Sequence, residues 1–166
     1  LEGFYYKPRV DRDLFEKYNE GLIVFSGCPS GEVPRLLYEG RMEDARNSAR
    51  WYKEVFPEYH LELMAHGGVE GLPAINRGLL ELHKEMDIPI VATNDSHYIK
   101  EQDAHLQDVL VCIHTNTNIK DAGRLKMEEP SYYLKSGEEM TALFLETPDA
   151  VANTERIAEM CNLDLD

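Results

Sequence analysis

The stretch Ile88-Pro89-Ile90-Val91-Ala92-Thr93-Asn94-Asp95-Ser96-His97-Tyr98 constrains this chain more than any other. A short run of β-branched and apolar residues ends abruptly in a polar cluster, Asn94-Asp95-Ser96-His97. The run is too short for a core helix and has the composition of a buried parallel strand. Side chains alternate along a strand, so Asp95 and His97 are expected to point the same way, roughly 7 Å apart at Cα. A carboxylate and an imidazole leaving a strand end together make half of a metal site. In α/β folds that end is where active sites collect.

The segments before this strand repeat its logic. Leu1 to Asp13 mixes aromatic and basic residues and is expected to be extended ahead of Pro8; Asp11 to Tyr18 reads as a short helix. Gly21-Leu22-Ile23-Val24-Phe25-Ser26 reads as a buried strand running into the Gly-flanked turn Gly27-Cys28-Pro29-Ser30-Gly31. Cys28 thus stands to its strand as Asp95 does to the later one. Glu32 to Tyr38 gives a turn or two of helix. Met42 to Phe56 is amphipathic, with Met42, Ala45, Ala49, Tyr52 and Phe56 on one stripe and Pro57 as its stop. Tyr59 to Met64 is a third strand, with Leu61 and Leu63 on one face and His60, Glu62 and Met64 on the other. Gly71 to Met86 is a second long helix. Strand–helix–strand–helix–strand is the alternation of a parallel sheet.

After Tyr98 the character changes. Asp103 to Ile113 reads as a helix with Leu106, Val109, Leu110 and Ile113 as its apolar stripe. Thr115 to Gly123 is polar loop, and Tyr132-Tyr133-Leu134 a short apolar piece. Ser136 and Glu139 have the spacing of a reciprocal cap, and Thr147-Pro148 begins the last helix. Asn162 to Asp166 reads as the start of a further element. Three strands cannot close a barrel, which takes about eight strands and ~250 residues. With no initiator Met, the chain is expected to be a segment of a longer protein, carrying part of a barrel with an unpaired sheet edge and an uncovered apolar face. Such a segment is expected to associate with itself or to be only marginally stable.

The chain's 31 acidic against 17 basic residues, net −14, repel phosphate backbones, so the segment alone is not expected to grip duplex DNA. Solubility alone would also account for that charge. No apolar run approaches the ~20 residues of a membrane span, and no secretory signal pattern opens the chain. Cys28, Cys112 and Cys161 follow no disulfide framework, which suits a reduced, intracellular setting.

A thiol, a carboxyl and an imidazole at the mouths of parallel strands, Cys28, Asp95 and His97, suit zinc or a similar first-row divalent ion. An ion so held lowers the pKa of its water and so serves phosphoester hydrolysis. The bland alternatives are a buried small hydrophobe for Cys28 and a polar helix-capping strand end for Asp95 and His97. His66 follows the third strand toward the same rim, as a solvated loop histidine or as a group supporting the ligands from behind. Glu62, with His60, is at most such a support. His83, His105 and His114 read as structural or exposed. Gly67-Gly68 and Gly71 lack the spacing of a phosphate-binding loop.

With these residues in hand the chain resembles a known family. Tyr5-Tyr6-Lys7-Pro8-Arg9, Ser26-Gly27-Cys28-Pro29-Ser30-Gly31-Glu32, Leu61-Glu62-Leu63, Val91 to Tyr98 and Tyr133-Leu134-Lys135-Ser136-Gly137-Glu138-Glu139-Met140 match, in order, the bacterial DNA polymerase III alpha subunits, the C-family replicative polymerases. The likeness is to the C-terminal part of their polymerase and histidinol phosphatase (PHP) domain, residues 1–114 here. A connecting helical segment, 115–166, then leads toward the palm; Asp149-Ala150-Val151-Ala152-Asn153-Thr154 carries that part.

The resemblance implies a partial PHP-type distorted βα (TIM-like) barrel with a mainly helical extension. It implies metal ligands at Cys28, Asp95 and His97, with zinc or manganese as the ion. The family's His-rich upstream motifs and its palm aspartates have no counterpart in this chain, so the chain alone is not expected to polymerise DNA. The whole protein would be a cytoplasmic nucleotidyltransferase using magnesium on a primer–template. Its PHP part would act either as a metal-dependent 3′–5′ exonuclease or as a structural module bracing the other domains and docking a proofreading subunit. A free-standing phosphoesterase of the PHP superfamily is the remaining alternative, against which the segment Tyr132 to Leu163 stands.

Overall fold

The computed structural model describes residues 3–127 and 129–163, with only the backbone of Tyr5. The expectations for Leu1, Glu2 and for 164–166 lie outside these residues. The chain opens with a small antiparallel pair, β1 (Phe4–Tyr5) and β2 (Lys7–Pro8), in register Phe4 to Pro8. The sequence reads there only as extended chain, because Tyr6 makes the turn at a positive φ of 58° that its side chain does not advertise. Helix α1 (Arg12–Lys17) follows, its first turn capped by Asp11, which accepts from the Leu14 amide at 3.0 Å.

Strand β3 (Ile23–Phe25), helices α2 (Glu32–Tyr38) and α3 (Met42–Val55), strand β4 (Glu58–Leu63), helix α4 (Leu72–Met86) and strand β5 (Ile90–Ala92) then build a three-stranded sheet in the order β3-β4-β5. Both pairings are parallel, with Phe25 opposite His60 and Glu62 opposite Val91. This is the expected alternation, with a shorter last strand. Pairing ends at Ala92, so Thr93 to His97 leave the sheet as irregular chain.

The core lies where the sheet meets α2, α3 and α4. Phe56, Leu61, Leu63, Ile75, Leu79, Leu82, Ile88 and Ile90 are buried together with Ala45 and Ala49. Small residues let the helices close up: a Cβ on Gly78 would meet a methyl of Leu37 at 2.8 Å. Fully burying one such leucine or phenylalanine contributes roughly 1.5–3 kcal/mol.

Beyond β5 a single 3₁₀ turn (Glu101–Asp103) leads to α5 (Ala104–Thr115), then α6 (Gly137–Leu143) and α7 (Pro148–Met160). Helix α6 starts with the expected reciprocal cap: Ser136 Oγ accepts from the Glu139 amide and the Glu139 carboxylate from the Ser136 amide. Helix α7 packs beside β5, where Asn153 Nδ2 donates to the Ile90 carbonyl at 2.7 Å. Phe144 and Ala150 thereby join the same core as the sheet. The β5 edge of the sheet is therefore covered by a helix. Among the described residues β3, at the other edge, pairs with no further strand.

Helix α5 departs from expectation in a different way. Its apolar stripe faces outward, with Leu106, Val109, Leu110 and Ile113 between 42% and 71% exposed and only Cys112 buried. The periodicity locates the helix correctly but says nothing of which surface covers the stripe. No helix among the described residues is long and apolar enough to cross a membrane.

Candidate functional site at the strand-end rim

The C-terminal ends of β3, β4 and β5 each deliver a polar group. After β3 the chain turns at Gly27 (φ +83°), and the turn closes as the Gly31 amide donates to the Cys28 carbonyl at 2.7 Å. A Cβ on residue 31 would sit 2.4 Å from the Ser26 carbonyl oxygen, so glycine is required there for lack of space. Ser26 ties the turn to β4: its amide donates to the His60 carbonyl and its Oγ accepts from the Glu62 amide. Cys28 is half-buried with a free thiol.

Glu62 sits between the two halves of the rim. Its carboxylate accepts from Thr93 Oγ1 at 2.5 Å, and it feels both the Gly27 backbone and the Asp95 carboxylate. Burial raises its pKa and the charge of Asp95 adds to this, against the hydrogen bonds from Thr93 and Gly27. The sequence suggests a support; the structure places Glu62 at the junction of the Cys28 turn and the Asp95 segment.

Asp95 and His97 meet: Oδ1 and Nε2 lie 3.4 Å apart, both side chains partly exposed. They converge for a different reason from the one expected. Asp95 lies outside the strand in the left-handed region (φ +44°), a conformation Asp tolerates better than most residues, so a turn and not strand alternation brings the pair together.

A segment that the sequence marks only as a short apolar piece completes the rim. Residues 129–135 cross it, joined to the chain after β5 by a parallel bridge between Tyr98 and Tyr133. The His97 amide donates to the Tyr132 carbonyl at 2.8 Å and the Leu134 amide to the Tyr98 carbonyl at 3.0 Å. Buried Asn94 donates through Nδ2 to the carbonyls of Ser131 and Tyr133. His66 is buried and stacked on Tyr132 of the crossing segment at 4.1 Å, so it is no solvated histidine. His97 meets the same Tyr132 ring edge-on at 5.9 Å. His60, by contrast, packs edge-on against Phe25. His83 donates to the Ile88 carbonyl and His105 to the Gln102 carbonyl, structural roles as expected.

Comparison with known proteins adds a lineage to this geometry. The family model described as the PHP domain matches residues 1–66. The DNA polymerase III subunit alpha of Borreliella burgdorferi is 48% identical over 163 residues, 98% of this chain. That of Treponema pallidum is 43% identical over 165 residues, again 98% of this chain, and that of Deinococcus radiodurans 39% over 169 residues, 99% of it. The chain is a relative of the DNA polymerase III alpha subunits. It spans only 14%, 14% and 12% of the length of these three alpha subunits.

The alpha-subunit likeness runs past residue 66 through the whole rim, Asp95, His97 and the crossing segment included. Among the described residues, however, no three His, Cys, Asp or Glu side chains are grouped so as to hold a metal ion. The Asp95–His97 pair and Cys28 do not by themselves make a metal centre. The residues that sequence reasoning misses here are Asn94, Glu129, Ser131 and Tyr132. Asn94 was visible only as part of a polar cluster. Glu129 and Ser131 had no local signal and Tyr132 only that of a short apolar piece, because their partners across the rim are about 35 to 65 residues away.

Proposed function

We propose that this chain is one segment of a DNA polymerase III alpha subunit, a cytoplasmic enzyme that extends a primer along a DNA template with magnesium. The observation that supports this is likeness along 98% of the chain, at 48% identity, to a protein of that name. On this reading residues 1–114 are the C-terminal part of a PHP-type distorted βα barrel and 115–166 lead toward the palm. The three parallel strands with helices against them are the portion of that barrel present here.

Cys28, Asp95 and His97 are this segment's share of a divalent-metal site, zinc or manganese, whose other ligands come from elsewhere in the longer chain. The direct Asp95–His97 approach at 3.4 Å supports that assignment. Glu62 and His66 support the ligands from behind. The outward apolar stripe of α5 favours a bracing role as well, against other domains of the subunit or a proofreading partner. The test is made on the full-length protein. It should extend a primed template, and absence of primer extension would overturn the reading. Removal of mismatched 3′ ends that is abolished by Asp95→Ala would assign the exonuclease role, and excision unaffected by it would leave bracing.

A further inference from the structure

Residues 129–135 are held onto the rim by a chain of hydrogen bonds that fixes the state of one histidine. Glu129 Oε2 accepts from the Gly68 amide at 3.0 Å, and Glu129 Oε1 accepts from Ser131 Oγ at 2.5 Å. With its proton given to Glu129, Ser131 Oγ can only accept at its 2.7 Å contact with His66 Nδ1. His66 therefore carries its proton on Nδ1, which also lies 3.4 Å from Glu129 Oε1. Its Nε2 is left with a lone pair, buried and without a hydrogen-bond partner among the described residues, on a side chain only 1% exposed. A second proton on this ring would place a buried donor where, among the described residues, none of the acceptors is within hydrogen-bond reach.

We propose that the segment 129–135 is an acid-released strap: protonation of His66 unseats it and frees the Asp95–His97 edge of the rim. The charged groups facing His66 come from three directions. Glu129 and Lys135 belong to the strap itself, Asp95 to the chain after β5, and His97 lies across the Tyr132 ring. Burial lowers the His66 pKa, and Lys135 adds to this; Glu129 and Asp95 oppose it without reversing it. The sign follows. A histidine whose folded pKa is depressed binds fewer protons in the closed state than in the open one. Closure is therefore complete above the ordinary histidine value and is lost as pH falls below it. Glu129 keeps its acceptor charge in that window: burial raises its pKa, but bonds from Ser131, Gly68 and Gly67 and the nearby His66 hold it below the ordinary value.

Hydrogen exchange of the 166-residue chain, read with an NMR titration of the His66 ring, tests this. Corrected for the intrinsic pH effect, protection of the His97 and Leu134 amides should fall between pH 7.5 and 5.0. The fall is at most about tenfold per pH unit for one linked proton, and amides of α3 and α4 should stay unchanged. The ring should start as the Nδ1–H tautomer and titrate in step with the loss. His66→Asn, which keeps a donor for Ser131 and cannot titrate, should make the protection flat with pH. Should that variant not fold, the wild-type pair of curves decides alone. A ring that protonates while protection holds, a ring neutral to pH 5.0, or protection lost while the ring is neutral would each overturn the strap mechanism. So would an unchanged pH dependence in a folded His66→Asn.

Discussion

Replacing Asn94 by alanine is the sharpest probe of how the rim is assembled. Its Nδ2 donates at 2.9 Å to the Ser131 carbonyl and at 2.7 Å to that of Tyr133, tying the crossing segment to the end of β5. Two such bonds are worth about 2 kcal/mol together, and neither carbonyl is orphaned by the change, since Lys135 Nζ still donates to that of Ser131 and Ser96 Oγ to that of Tyr133. Against this, Asn94 Oδ1 is buried without a partner, so deleting it returns part of a desolvation cost already present. That single correction is small beside the two bonds, and the net stays near 2 kcal/mol, about a 30-fold rise in the population of the open segment. The loss should be local, because α6 and α7 keep their own contacts with the core through Phe144 and Ala150. Hydrogen exchange at pH 7.5 should show the His97 and Leu134 amides deprotected about 30-fold in Asn94→Ala, with the α3 and α4 amides unmoved. A change under threefold at those two amides, or an equal loss through α3 and α4, would refute the reasoning.

Other perturbations separate the remaining contributions. Gly31→Ala drives a Cβ to 2.4 Å from the Ser26 carbonyl and should cost about 1–3 kcal/mol in urea unfolding, whereas Gly137→Ala, with open space around it, should be neutral or slightly stabilising. Ser136→Ala removes one half of the α6 cap and should lower stability by about 1 kcal/mol, read from the same curves. Glu62→Gln tests the buried carboxyl by its pH dependence. A carboxyl whose folded pKa is raised contributes most below its unfolded value and loses that contribution as pH rises through the folded one. The variant's stability relative to the natural chain should therefore climb as pH rises above the ordinary glutamate value of about 4.3, and a gap constant with pH would contradict the assignment.

Much of the scaffold is legible from local pattern. The stripe Met42, Ala45, Ala49, Tyr52 and Phe56 marks α3 nearly to the residue, and Ser136 with Glu139 announces the start of α6. Both signals act within one or two helical turns. The rim was legible only in part. Cys28, Asp95 and His97 are distinctive residues at strand ends, yet the Asp95–His97 contact depends on a left-handed turn that Asp95 does not dictate. Ser131 goes unremarked and Tyr132 reads only as part of a short apolar piece, because their meaning lies in His66 and Asn94, far away in sequence. Likewise the stripe on α5 gives the helix but not the direction it faces, since burial depends on a partner surface and not on period.

The claim on which the account turns is that Cys28, Asp95 and His97 are one chain's contribution to a metal site completed by the rest of the subunit. Elemental analysis of full-length protein, purified without added metal and compared with folded Cys28→Ser, Asp95→Ala and His97→Ala variants, addresses it directly. The account predicts a stoichiometric divalent ion in the natural protein and a clear drop in each variant. Equal metal content in all four proteins would contradict it.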